Sequence, residues 1–264
     1  MSRVGISTAC FYPDDTFSSF ENVVAENVPV AEVFMNTLCE LTPENLSRYR
    51  KLMEQTGTEI ISFHPYSSAF ESLMFFSECT ARITDGIEMY KRFFDAASVL
   101  GAKYFVFHGE RVTPTFSRGL SGKEIICESY GRLIETAKSF GLTFTQENVN
   151  NHRSHSAEFI KYLSQTVPEL KFTFDLKQAY RAKQNFEEIV CAMGKKLVHV
   201  HINDFGEHEC CLPFCGNANL TRLSEMLSEL EYSGDYVLEV YKTCLTSKEE
   251  LKNSLEKTKK LFCK

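Results

Sequence analysis

The feature of this sequence that most constrains its fold is an alternation of short apolar runs with longer helical segments, repeated along the chain. The short runs are rich in Val, Ile, Phe and Tyr and are apolar on both faces, as buried parallel strands are. They occupy residues 4–7, 30–34, 60–63, 104–107, 143–145, 172–174, 197–202 and 236–240. The pattern therefore predicts eight strands of a sheet that is covered on both sides.

The segments between these runs carry apolar residues at helical spacing. In the segment 43–55, Thr42 can cap a helix, Pro43 suits its first turn, and Leu46 and Tyr49 share a face. The other helices are predicted over residues 85–100, 123–140, 156–165, 186–193, 220–230 and 248–262. Alternation of this kind implies parallel strands joined by right-handed crossovers.

Eight such units in 264 residues fit a closed (β/α)₈ barrel, the TIM-barrel class of α/β proteins, better than an open sheet. An open doubly wound sheet is the alternative, but no Gly-rich phosphate loop follows the first run. No low-complexity tract or charge block divides the sequence. We therefore expect residues 1–264 to form a single domain.

Composition and charge narrow the function classes. A formal net charge of −6 argues against non-specific nucleic-acid binding, which needs clustered Lys and Arg. No apolar run reaches the roughly 18 residues that span a bilayer, and no signal peptide is recognised, so we expect a cytoplasmic protein without a membrane partner. The ten cysteines are then expected to be reduced thiols. The densest group, Cys210, Cys211 and Cys215, lacks the paired spacing of a zinc site.

Polar residues stand at the ends of six consecutive runs, from the third to the eighth. They are His64, His108, Glu147, Asp175, His201 and Glu239. One polar strand end can be a solvated end or a cap for the next helix. Six in a row indicate a shared site, because the active site of a barrel of this class lies at the C-terminal ends of its strands.

The three carboxylates in this group would repel one another unless a cation or shared protons were present. Glu147, Asp175 and Glu239, together with His201, suit a divalent ion such as Mn²⁺, Mg²⁺ or Co²⁺, with Zn²⁺ as a further option. His199 points the same way as His201 but lies one layer deeper, so we interpret it as a core histidine. The sequence therefore predicts a metal site at the top of the barrel.

These strand ends resemble those of the xylose isomerase-like barrels, and the resemblance covers essentially the whole chain. It is carried by Glu147-Asn148, Phe174-Asp175, His201-Ile202-Asn203-Asp204 and Leu238-Glu239. The superfamily includes sugar epimerases and isomerases, inosose dehydratases and apurinic-site endonucleases. Similarity to its ketose 3-epimerase branch implies that Glu147, Asp175, His201 and Glu239 hold one divalent metal, and that Glu147 and Glu239 are also the catalytic acid/base pair.

The endonuclease branch uses three zinc ions, and His64 and His108 match two of its ligands. Its Asp-x-x-His motif appears here with Gln178 in place of the histidine, and its Asp-x-His motif after the seventh strand has no counterpart. The loop at residues 211–216 looks more like the Leu-Pro-x-Gly loop of the sugar-acting branch. A zinc cluster is therefore not expected, although Gln178 also departs from typical epimerases.

The resulting prediction is a metal-dependent isomerase or epimerase that acts on a small sugar, ketose or sugar phosphate. Its glutamates would transfer a proton through an enediolate, and His64, His108, Lys177 and Gln178 would contact the substrate. An inosose-type dehydratase is the main alternative, since it would use the same metal and residues. A phosphodiesterase acting on damaged DNA and a non-catalytic sugar-binding barrel are less favoured. Relatives of this type are often dimers or tetramers, which leaves a homo-oligomer open.

Overall fold

The computed structural model describes residues 2–112, 121–206 and 209–263, so residues 1, 113–120, 207–208 and 264 of the expected domain lie outside it. Eight parallel strands close into a barrel in chain order, and the last strand pairs with the first. The strands are β1 (Val4–Ser7), β2 (Val30–Met35), β3 (Glu59–Pro65), β4 (Tyr104–Phe107), β5 (Thr143–Glu147), β6 (Lys171–Asp175), β7 (Leu197–Ile202) and β8 (Tyr236–Leu238). The predicted (β/α)₈ barrel is confirmed.

Ten α-helices lie among the described residues. They are α1 (Thr16–Ala25), α2 (Pro43–Thr56), α3 (Ser68–Phe75), α4 (Ala81–Val99), α5 (Lys123–Ser139), α6 (Ala157–Thr166), α7 (Leu176–Arg181), α8 (Phe186–Met193), α9 (Leu220–Glu229) and α10 (Lys248–Phe262). All seven predicted helices are present, although α4 begins at Ala81 rather than at residue 85. Helices α1, α3 and α7 were not predicted from the sequence. Helix α7 spans only 6 residues, which is too short to show a helical period.

Three strands that carry site residues, β3, β5 and β6, run further than their apolar runs indicated. Strand β5 extends to Glu147 and β6 extends to Asp175. Each of these carboxylate residues still pairs with the next strand, Glu147 with Thr173 and Asp175 with His201. A strand therefore continues through its polar end because backbone pairing does not depend on an apolar side chain.

Side chains alternate between the two faces of the barrel wall, and the two faces differ in character. Outside, Phe63, Phe105 and Phe144 stack in a row, with ring centroids 5.8 and 6.0 Å apart. Inside, the hydroxyl groups of Thr145 and Thr173 hydrogen-bond to each other at 2.7 Å. The main apolar core thus lies between the barrel and its helices, and polar side chains stand inside the barrel towards the strand ends, above a small apolar cluster of Val30, Ile61 and Val237.

The segment after β7 is anchored by one carboxylate. Asp204 accepts hydrogen bonds from the backbone N–H groups of Phe205, Phe214, Gly216 and Ala218. All ten cysteines are free thiols, and in the cluster that the sequence singled out Cys210 is buried and Cys215 is exposed. None of the described helices combines the length and the apolar character that crossing a lipid bilayer requires.

Candidate metal centre

Four buried side chains meet at the C-terminal ends of the last four strands. Glu147 ends β5, Asp175 ends β6, His201 lies in β7 and Glu239 directly follows β8. Glu147, Asp175 and His201 offer ligand atoms that lie within 4.8 Å of one another. Glu239 Oε2 lies 2.9 Å from His201 Nδ1. The structure therefore brings together the four ligands that the sequence predicted.

Each of these four side chains has one buried polar atom that makes no aligned hydrogen bond among the described residues and whose close polar neighbours are charged or imidazole groups of the same cluster. The atoms are Glu147 Oε2, Asp175 Oδ2, His201 Nδ1 and Glu239 Oε2. Unpaired buried polar atoms are costly, and ionised carboxylates can only accept. Carboxylate oxygens and an imidazole nitrogen are ligands that divalent ions prefer. The residues present therefore fit a divalent metal ion.

A fifth buried residue, Glu32 on β2, holds the histidine of this set. Its Oε2 lies 2.9 Å from His201 Nε2 and 3.1 Å from His199 Nε2, and Ser7 donates to its Oε1. Because Nε2 of His201 is engaged by Glu32, Nδ1 is left for a metal, as in carboxylate–histidine–metal arrangements. Glu32 was not predicted as a site residue, although it is the one charged residue within the apolar strand β2.

His199 lies deeper in the barrel than His201, as expected. It is fully buried, and its ring stacks on Tyr104 with centroids 5.4 Å apart. Glu32, His199 and His201 also form a group with metal-ligand spacing. Burial lowers the pKa of His199, which favours the neutral imidazole.

Charges around the site hold both glutamates in the ionised form. Burial would raise the pKa of Glu147, but hydrogen bonding from His108, His201 and His64 holds it well below its usual range. Burial likewise acts on Glu239, but Lys177 and His201 lower its pKa to about 2. An ionised carboxylate is the proton acceptor that abstraction of a carbon-bound proton requires.

His64 and His108 approach Oε2 of Glu147, whereas His201 lies nearest to Oε1. The Nε2 atoms of His64 and His108 lie 3.5 and 3.2 Å from Glu147 Oε2, and their ring centroids are 4.4 Å apart. His64, His108 and Glu147 form a further group with metal-ligand spacing. The two histidines therefore border the candidate metal centre. The sequence predicted them as substrate contacts.

The turn that presents His108 is fixed by a buried carboxylate. Glu71 on α3 accepts from the backbone N–H of Gly109 at 2.7 Å and from the hydroxyl of Tyr90 at 2.8 Å. Gly109 has φ +85°, and a Cβ there would lie 2.7 Å from Gln146 Oε1. Only glycine fits this turn without strain. The sequence reading did not identify Glu71 because its partners lie on other elements.

Lys177 and Gln178, the other predicted substrate contacts, lie in the first turn of α7. Lys177 is 2% exposed, and its Nζ donates to Glu239 Oε1 at 2.6 Å and lies 3.1 Å from Asp175 Oδ2. Burial would lower the pKa of Lys177, but Asp175 and Glu239 hold it well above its usual value. Gln178 accepts from the backbone of Asn150 through Oε1. Both residues therefore touch the metal centre or its immediate surroundings.

Comparison with known proteins supports the resemblance seen in the strand ends. A family described as xylose isomerase-like TIM barrel matches residues 20–261. No curated protein matches the sequence significantly.

Three solved structures illustrate the similarity of fold. One, described as a D-tagatose 3-epimerase-like protein, has a TM-score of 0.76 at 23% identity and covers 98% of both chains. The IOLI protein with a binding zinc atom has a TM-score of 0.79 at 16% identity over 99% of this chain and 100% of its own. D-psicose 3-epimerase from Clostridium cellulolyticum H10 has a TM-score of 0.78 at 13% identity over 98% and 99%.

At these identities the solved structures show a shared fold, and the family match covers nearly the entire sequence. Both agree with the closed barrel. The chain therefore belongs to the family of xylose isomerase-like TIM barrels.

Proposed function

We propose that the protein is a metal-dependent isomerase or epimerase that acts on a small sugar, ketose or sugar phosphate by proton transfer through an enediolate. The observation that carries the proposal is the convergence of four buried ligand atoms, on Glu147, Asp175, His201 and Glu239, none of which makes an aligned hydrogen bond among the described residues. Two of the four ligands are glutamates, which can also exchange protons with a substrate. Several proteins of similar fold are described as ketose 3-epimerases, which agrees with this chemistry.

The proposed cofactor is one divalent ion held by these four residues, either Mn²⁺, Mg²⁺, Co²⁺ or Zn²⁺. When bound, such an ion polarises a carbonyl group and stabilises the negative charge that develops when a neighbouring proton leaves. The zinc atom in the structure of the IOLI protein shows that a barrel of this shape accommodates a metal.

Glu147 and Glu239 are the proposed acid/base pair. They follow β5 and β8, which are separated around the ring by β6 and β7, so the two carboxylates can flank a bound sugar. One takes the carbon-bound proton, and the other returns a proton. Return from the opposite face gives an epimer, whereas return at the neighbouring carbon interconverts an aldose and a ketose.

The proposed substrate contacts border this pair. His64 and His108 lie beside Glu147 and are the proposed partners of sugar hydroxyls; Nδ1 of His108 has no hydrogen-bond partner among the described residues, whereas Nδ1 of His64 lies 3.2 Å from the carbonyl oxygen of Pro65. The ammonium group of Lys177 has three N–H donors, of which two are accounted for by Glu239 and Asp175, so one is left for a substrate oxygen. Gln178 keeps its side-chain amide group as a donor, because its carbonyl group is held by Asn150.

Proton–deuterium exchange tests the proposal before any product is identified. Ketoses, their phosphates and inososes are incubated with the metal-loaded protein in D₂O, and incorporation at carbon is followed by NMR. We expect exchange with wild type, and strongly reduced exchange with Glu147→Gln and with Glu239→Gln. Glu231→Gln is the control, because Glu231 forms a surface pair with Lys195 and is 78% exposed.

Three outcomes would contradict parts of the proposal. Loss of water from the substrate during exchange would assign a dehydratase in place of an isomerase. Metal analysis that returned two ions per chain would contradict the single ion and assign the second to His64, His108 and Glu147, whose spacing suits one. Near-native exchange in both glutamine variants would remove the acid/base assignment.

A further inference from the structure

Lys177 is a buried positive charge in direct contact with two of the proposed metal ligands. Its Nζ lies 2.6 Å from Glu239 Oε1 and 3.1 Å from Asp175 Oδ2. We propose that Lys177 is a permanent internal cation of the metal centre, which offsets one carboxylate charge and so limits how tightly the site binds a cation and favours divalent over trivalent ions. The inference rests on the metal site proposed above and goes beyond it, because it assigns a role to a residue outside the ligand set.

The ammonium group is fixed in place by its surroundings. The side chain is 2% exposed, and a buried charge is tolerated only when it is paired. The ring of Tyr241 packs on it with its centroid 5.4 Å from Nζ. If Lys177 moved away from Glu239 and Asp175, it would leave both carboxylates and its own charge without this contact.

Lys177 contacts one oxygen of each of these two carboxylates, Glu239 and Asp175. On Glu239, Oε1 accepts a hydrogen bond from Lys177, and Oε2 faces His201 Nδ1 at 2.9 Å. On Asp175, Oδ1 accepts from Gln178 and Asn203, and Oδ2 lies near both Lys177 and His201. Lys177 is therefore a neighbour of the proposed ion and does not take its place.

The charge balance of the centre follows from this arrangement. Glu147, Asp175 and Glu239 carry three negative charges, and Lys177 reduces the total to two. The carboxylate of Glu32, 2.9 Å from His201 Nε2, lies outside the ligand set and adds the same negative charge in wild type and in the Lys177 variants. Without Lys177 the three ligand carboxylates would lose the cation that offsets one of them. The site would then attract every cation more strongly, and a trivalent ion more than a divalent one, because the interaction scales with the charge.

The test compares metal binding by Lys177→Met with that by wild type. Methionine keeps the length of the apolar stem and removes the charge. We expect Mn²⁺ to bind Lys177→Met about tenfold more tightly or better, the lower end of what changes around a ligand shell do to affinity. Calorimetry measures Mn²⁺, and terbium luminescence measures Tb³⁺, for which the gain should be larger. A purely structural role for Lys177 would not produce a gain that grows with the charge of the ion.

Two further variants complete the experiment. Lys195→Met removes a lysine from an exposed pair with Glu231, where both side chains are more than 70% exposed, and should leave both affinities unchanged. Lys177→Gln is neutral but can still hydrogen-bond to Glu239 and Asp175. It should show the same gains, and it replaces the methionine variant if that protein fails to fold.

The outcomes separate this inference from the proposed function. Folded Lys177 variants that bind Mn²⁺ no more tightly than wild type, or that gain no more for Tb³⁺, would overturn the role of Lys177 while the metal site stands. If neither wild type nor any variant binds Mn²⁺, the result contradicts the proposed metal site and, with it, the inference about Lys177. No substrate is needed, so an incorrect sugar assignment does not affect the result.

Discussion

Glu32 Oε2 lies 2.9 Å from Nε2 of His201, across the interior of the barrel from β2 to β7. This contact orients the imidazole so that Nδ1 faces Glu239, Glu147 and Asp175, at 2.9, 3.5 and 3.6 Å. The metal centre at β5–β8 therefore depends on a residue from the opposite side of the ring.

Glu32→Gln should weaken Mn²⁺ binding by about 10–100-fold, the usual effect of changing a partner that holds a metal-ligating histidine. The amide keeps the shape of the side chain but loses the charge that stabilises the imidazole orientation. Calorimetric titration measures the affinity, and Glu59→Gln, at a largely exposed position of the surface pair with Arg3, is the control. Unchanged affinity in Glu32→Gln would show that Glu32 only fills the barrel interior.

Addition of Mn²⁺ should raise the melting temperature of the protein, because an ion that binds only the folded state stabilises it by about 2.7 kcal/mol at 100 times its dissociation constant. Asp175→Asn should abolish most of this increase. The variant keeps an oxygen that can accept from the backbone of Gln178 and so preserves the start of α7. Differential scanning calorimetry with Mn²⁺ and with a chelator measures both. An equal increase in the two proteins would place the ion elsewhere.

Glu147→Gln and Glu239→Gln should each lower turnover by at least ~10²–10⁴-fold on a substrate identified by exchange, since this is the usual contribution of a positioned acid or base. Both residues are also proposed ligands, so metal content must be measured in the same samples. Steady-state kinetics at saturating Mn²⁺ gives the result. Turnover close to that of wild type in a variant would remove that residue from the chemistry.

Gly109→Ala should destabilise the fold and displace His108. A left-handed backbone costs a non-glycine residue roughly 1–2 kcal/mol, and a Cβ at this position would also lie 2.7 Å from Gln146. Gly57→Ala is a matched control, because Gly57 has φ +75° with nothing within 4 Å of its Cβ position. Urea denaturation should show a larger loss for Gly109→Ala. Equal losses would mean that the loop around Gly109 adapts without strain.

Local sequence patterns were sufficient to predict the barrel and to single out the four residues that meet at the C-terminal ends of its last four strands. The strands alternate with helices at a regular spacing, and Glu147, Asp175, His201 and Glu239 each follow or end an apolar run. Contacts across the barrel were not predictable in this way. In the sequence, Glu32 is a single charged residue within an apolar strand. Only closure of the barrel brings its carboxylate to His201.

Lys177 shows the same limit at shorter range. Its position two residues after Asp175 placed it near the site, but its contact with Glu239 joins residues 62 positions apart in the sequence. Helix α7 was not predicted from the sequence, because a helix of 6 residues shows too little periodicity. A short element and two long-range pairs therefore account for α7, Lys177 and Glu32, whereas α1 was missed although it spans 10 residues.

The division of oxygens within the carboxylates has a consequence for how the centre takes up its ion. Asp175 uses Oδ1 to hold α7 and Asn203, and Glu239 uses Oε1 to hold Lys177, while the second oxygen of each faces other members of the cluster. The side chains are thus ordered without an ion, and binding of the proposed ion would not have to immobilise them. We therefore expect the proposed site to discriminate by ionic radius, since its walls are fixed by the fold and not by the ion.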